Sequence, residues 1–307
     1  MTLVVGAAPE HGGKAALHLA AELARSAGED VVVASVVPAP WYPSLARVDA
    51  EYQSYLVEAA DRALAGARAA LPSDVPVTTV VQHASSAAEG LLEVADVHDA
   101  SLVVVGSSSA GVFGHVALGS VSDRLVHSSA RPVALAPRGF RARADGRVRR
   151  VTAAYGGSEA ADDLVIAAAR VAGRVGATLR LASFAVRPPS PITAGIGSRG
   201  EEPVVQEWIA AIHGHAEDVL ADVRRLPEPP LLAASVVGWG PSWQQAIEDV
   251  TWDEGDVLVV GSSSSGAIAR VFIGSNATKI VRHSPVPVVV VPRDVAAGDV
   301  DEVDVTG

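Results

Sequence analysis

The sequence predicts two tandem α/β domains, each a parallel sheet with helices on both faces, and three observations carry this reading. One pattern occurs twice: Gly106-Ser-Ser-Ser-Ala-Gly111 followed by Gly119-Ser120, and Gly261-Ser-Ser-Ser-Ser-Gly266 followed by Gly274-Ser275, with matching positions 155 residues apart. Short apolar runs alternate with helical stripes in both halves, the order that builds a parallel sheet. A length of 307 residues suits about two domains, and a composition 49% apolar lets each bury a core.

In the first half, residues 3–5 form a short apolar run, and Ala15, Leu17, Leu19, Leu23 and Ala24 then recur on one broad helical stripe. Residues 31–37 read as a second, buried strand. Tyr52, Tyr55, Leu56, Ala59, Ala63 and Ala67 mark the inner face of a long amphipathic helix. Residues 75–81 form a third strand, and Ala88, Leu91, Leu92 and Ala95 face inward on the next helix. Residues 102–105 then run into the first glycine-rich loop, and 132–137 close the half.

The second half repeats the order, with strands at 151–155, 177–186, 231–237, 256–260 and 286–291. The offset is 148 residues at Val36 and Phe184 but 155 at the loops, so seven extra residues lie between. Their expected place is 188–203, rich in Pro, Gly and Ser. The predicted boundaries are a first domain at 1–138, a basic linker at 139–148 read as a solvated connector, a second domain at 149–294 and an acidic, frayed tail at 295–307.

A net charge of −11 argues against a general binder of nucleic acid or anionic membrane, since the long-range field repels both. Without cysteine there is no disulfide, thiolate metal site or cysteine nucleophile. No apolar run approaches the roughly 18 residues that span a bilayer, and no leader pattern is legible, so a cytoplasmic protein is expected.

A strand that enters a glycine-rich loop and then a helix start presents backbone N–H groups and a helix dipole to phosphate. The alternative is that Ser107–Ser109 and Ser262–Ser265 make hydrophilic loops, with Ser120 and Ser275 as caps. The residues after Gly111, which are Val112 and Phe113 in place of Lys and a hydroxyl, and Ala267 and Ile268 after Gly266, argue against a phosphate-loop NTPase. His115 and Arg270 stand at matching loop positions where either could touch phosphate. His213 and His215, two apart on a helix, point to different faces and make no shared metal site. Trp239 and Trp243 flank the loop after the third strand of the second half and could line a crevice, though packing is the commoner fate of tryptophan. No catalytic constellation and no metal ligand set is legible.

The loops resemble the hallmark of the universal stress protein family in its tandem form: Gly, two residues, Gly, nine residues, then Gly-Ser, between the fourth strand and fourth helix. Gly106, Gly119 and Ser120 match in one copy, and Gly261, Gly274 and Ser275 in the other. The hallmark's second glycine is replaced by Ser109 and Ser264, with glycine two residues later at Gly111 and Gly266. The resemblance implies two Rossmann-like domains, each a five-stranded parallel sheet of order 3-2-1-4-5. Ligands of such sheets sit where the strand order reverses. It also implies that the final strands of the two domains pair antiparallel, here within one chain, leaving a homodimer open.

In nucleotide-binding members an aspartate after the first strand faces ATP. Ala8 and Gly156 stand there in this chain. Val36 and Phe184 correspond to the backbone that holds adenine, and the Gly–Ser pairs to the phosphate contacts. The expected function is a non-catalytic stress-response protein with weak binding of ATP or a related adenine nucleotide at each loop. The alternative is a nucleotide-free scaffold acting through contacts with a protein partner the sequence does not identify.

Overall fold

The computed structural model describes residues 2–8, 13–39, 46–186, 202–262, 275–293 and 295–296. The first half comprises β1 (Thr2–Gly6), α1 (Lys14–Ala27), β2 (Asp30–Pro38), α2 (Ala46–Ala70), β3 (Val77–Ala84), α3 (Ala87–Val97), β4 (Ala100–Gly106), α4 (Ser120–Ser128) and β5 (Val133–Ala136). The second comprises β6 (Arg150–Ala154), α5 (Glu159–Val175), β7 (Thr178–Val186), α6 (Glu202–Val223), β8 (Leu232–Gly240), α7 (Trp243–Glu248), β9 (Asp256–Gly261), α8 (Ser275–His283) and β10 (Val288–Val291). Among the described residues no helix is long and apolar enough to cross a membrane. The expected excursion at 188–203 lies outside the described residues, apart from Glu202 and Pro203, which open α6.

The strands form one sheet in the order β3-β2-β1-β4-β5-β10-β9-β6-β7-β8. Each half runs third, second, first, fourth, fifth, all parallel, and the halves meet where β5 and β10 pair antiparallel, Val288 opposite Leu135 and Val290 opposite Val133. Neither closing strand extends as far as its apolar run. Pro132 and Pro287 cannot donate to a ladder, yet their carbonyls accept from the N–H of Val103 and Leu258 at 3.1 and 2.9 Å. The third strand likewise begins at Val77, because Val75 donates back to the Pro72 carbonyl in a turn.

Side chains alternate across the sheet, so the two faces are built differently. On one face a single core crosses the junction, joining Leu91, Leu125 and Leu135 to Ile247, Leu258 and Ile280. On the other, separate cores lie under α1 and α2 and under α5 and α6, and both Leu23 and Val289 pack against each of them.

The inner face of α2 differs from the sequence expectation. Tyr52 and Tyr55 are exposed, and the buried stripe is Ala60, Leu64 and Ala67, leading to Leu71. Alanine is weakly amphipathic, so the stripe could be drawn through several rows. The linker is docked to α1: the Ser26 hydroxyl accepts from the N–H of Val148, which is buried, and Arg25 donates to the Gly146 carbonyl at 2.9 Å. Val295 and Ala296, expected in the tail, turn back on the Pro292 carbonyl and pack against the second core.

Candidate functional site

The order reversal falls between β1 and β4, which pair with Val5 opposite Val104. The N–H of Ala7 donates to the Ala34 carbonyl at 2.8 Å, continuing the β1–β2 ladder and delivering Ala8, exposed, to the carboxyl end. Gly106 ends β4 beside it. Among the described residues, a Cβ there would meet nothing nearer than the Ala16 methyl at 3.9 Å, so the described surroundings leave this backbone open. Val36 is half-buried and turned into the core: α3 crosses β2 so closely that a Cβ at Gly90 would lie 2.6 Å from the Val36 methyl. Phe184, its counterpart, also packs against that core. At both positions only backbone is left for a ligand.

The loop after β4 is held by its own serines. The Ser107 hydroxyl donates to the Ala136 carbonyl at 2.6 Å and accepts from the N–H of Ala117. The Ser108 N–H donates to the Ala117 carbonyl at 2.8 Å, and its hydroxyl accepts from Ala110. This doubling back explains Gly111, where a Cβ would fall 2.2 Å from the Ala117 methyl. The glycine stands where the loop recrosses itself, while Ser109 is exposed. Gly119 caps α4 in an extended conformation, its N–H bonded to the Ser122 hydroxyl at 2.8 Å. Ser120 and Val121 then open the helix with N–H groups that no intrahelical carbonyl can reach.

The other side of this loop faces the second half. A cleft of about 430 Å³ opens between Ser108, Gly111 and His115 on one wall and Gln244 of α7 and Arg282 and His283 of α8 on the other. His115 was legible as a candidate. Its partners were not, because they come from helices more than a hundred residues away and carry no motif.

In the second half, Tyr155 occupies the position of Ala7 and is buried, its hydroxyl donating to Asp162 at 3.0 Å. Burial first, then Asp162 and Asp218, push this phenol up to about 12. Gly156 is exposed, with nothing among the described residues within 4 Å of a Cβ there, and Gly157 adopts φ +68°, a left-handed conformation that suits glycine. Beside them a hollow of about 280 Å³ is lined by Asp162, Asp218, Asp222 and His215. Gly261 ends β9, and Ser262 repeats the first loop's backbone bond, donating to Val291 at 3.0 Å as Ser107 does to Ala136 at 3.1 Å. Ser275 opens α8 and is exposed. Ser264, Gly266, Arg270 and Gly274 lie outside the described residues. Trp239 near the end of β8 and Trp243 at the start of α7 flank the loop as expected, and Trp239 is 41% exposed. Trp243 and Trp252 pack against the shared core, the latter donating to the Ile247 carbonyl at 2.8 Å. Among the described residues no group of three or more His, Asp or Glu is arranged to hold a metal ion.

Two doubly wound halves joined at their fifth strands, each with a glycine-rich loop after the fourth, define a tandem α/β protein. The chain belongs to the universal stress protein family: the family's model matches residues 1–137 and again 147–292. Universal stress proteins of Mycobacterium bovis and Mycobacterium tuberculosis are 36% identical over 301 residues, covering 95% of this chain and 100% of each relative. The crystal structure of a universal stress protein from Archaeoglobus fulgidus shares the fold at TM-score 0.56 and 19% identity, covering 95% of this chain and 98% of that one. One from Pseudomonas aeruginosa does so at TM-score 0.54 and 14% identity, covering 97% and 95%.

Proposed function

We propose that this chain is a non-catalytic stress-response protein that binds an adenine nucleotide weakly, with the first domain as the better site. The observation that carries this reading is the open backbone of Gly106 together with the Gly119-capped start of α4, a seat for phosphate that needs no side chain. The base would lie against the ends of β2 near Val36. The absence of a carboxylate at Ala8 removes one contact and accounts for weakness. The equivalent seat around Gly156, Gly261 and Ser275 lies near Asp162, Asp218 and Asp222, whose charge opposes a polyphosphate. Catalysis is not proposed, because no lysine stands at the described part of either loop and His115 lines the cleft toward α7 and α8 rather than the Gly106 backbone.

A second reading, a nucleotide-free scaffold, draws on a different observation: the serines of the first loop close on its own backbone, and one core runs unbroken across both halves. Calorimetry with ATP separates the two, heat supporting the nucleotide and its absence the scaffold.

A further inference from the structure

We propose that the cleft between the first glycine-rich loop and helix α8 is a binding site for a phosphate monoester of a small organic molecule, seated on Arg282, His283 and His115. The two domains contribute unlike parts. The loop brings His115, and α8 ends on Arg282 and His283. The Nδ1 atom of His115 is buried and, among the described residues, has no hydrogen-bond partner, a polar group whose desolvation is uncompensated until something enters the cleft. Arg282 is exposed at the rim, where its planar fork suits a tetrahedral oxyanion.

Charge decides the class of ligand. The fixed positive charge of the Arg282 guanidinium disfavours a metal cation beside the two imidazoles and attracts an anion, in a chain whose net charge is −11. Glu248 is the opposing group, and Gln244 donates to it at 2.8 Å, which holds both on α7. Burial, then His115, then Arg282 hold His283 below the usual histidine range, while Glu248 acts the other way. An anion seated on Arg282 would oppose the effect that holds His283 low, so binding takes up a proton at His283. The cleft is larger than a bare phosphate needs, and Val116, Ala117 and Leu118 give it an apolar wall for an organic moiety. The site is separate from the nucleotide reading, since neither Ala8, Val36 nor Gly106 contributes to it.

The test is calorimetry on the full chain with inorganic sulfate, whose charge does not change near neutral pH, and with phenyl phosphate. We expect sulfate to bind more tightly at about pH 6 than at about pH 8 as His283 charges, and phenyl phosphate to bind more tightly than sulfate. Arg282→Ala, an exposed change that spares the core, should weaken both by about tenfold or more. His283→Gln should remove most of the pH dependence. Binding of sulfate without any response to ATP would support this site while refuting the nucleotide reading. No heat from either probe at about pH 6, or unchanged affinity in both variants, would overturn the proposal.

Discussion

Val289 of β10 lies opposite Ala134 of β5, the central pair of the three-residue ladder that fuses two sheets into one. Its side chain packs between the cores under α1 and α5, half-buried. Val289→Lys would place an ammonium at that seam and remove the apolar contact. We expect a loss of about 2 kcal/mol or more, read as a lower melting temperature with a more extended particle in small-angle scattering. Wild-type melting and scattering would show that the halves are held by another surface.

Much of this arrangement was legible in the sequence, for a physical reason. Parallel strands buried on both faces must be apolar throughout, so 31–37 and 102–105 stand out, and glycine loops mark where those strands end. The pairing of 133–136 with the last strand followed from the family resemblance. What could not be read were relations between the halves: that Arg282 and His283 face His115, or that Tyr155 would reach Asp162. Nor does the alanine-rich α2 declare which row it buries, since small residues leave a shallow moment and two tyrosines pull the reading the wrong way.

Glu22 supplies a pH prediction. The residue is 2% exposed beneath the linker, and among the described residues one of its carboxylate oxygens has no hydrogen-bond partner. Burial, then Glu254, raise it from 4.5 to about 7, against Arg25 and Arg149. The folded state therefore holds this proton more tightly than the unfolded chain. Stability falls as pH rises from about 4.5 to about 7, and the penalty is constant above that. Its full size is about 3 kcal/mol. Glu22→Gln should raise stability at about pH 8 and change little at about pH 4, measured by urea unfolding. Equal effects at both pH values would contradict the assignment.

Asp256 should be among the costliest residues to remove. Its side chain is 1% exposed, accepts from Arg150 at 2.8 Å and lies 3.6 Å from Arg180, itself buried and stacked 4.8 Å over Trp252. Asp256→Ala leaves a buried guanidinium without its counter-charge, and about 3–5 kcal/mol should be lost. A loss under about 1 kcal/mol in denaturant titration would show that Thr152 and the Thr251 carbonyl, which also accept from Arg180, suffice alone.

Gly119 tests the phosphate seat with little demand on backbone, since its φ of −101° is open to any residue. A Cβ would lie 3.3 Å from that of Ser108, so Gly119→Val should push against Ser108 and crowd the start of α4. Circular dichroism should stay near native while nucleotide affinity falls by about tenfold. Affinity equal to wild type would place the ligand elsewhere.

The most direct measurement is titration of the purified full chain with ATP by calorimetry, after mass spectrometry of the denatured protein has established whether nucleotide co-purifies. The account predicts weak binding, with Kd between about 10 μM and 1 mM, corresponding to about 4–7 kcal/mol, reduced by Gly119→Val. No heat and no shift in melting temperature at millimolar ATP, with no nucleotide released on denaturation, would contradict it and leave the scaffold reading in its place.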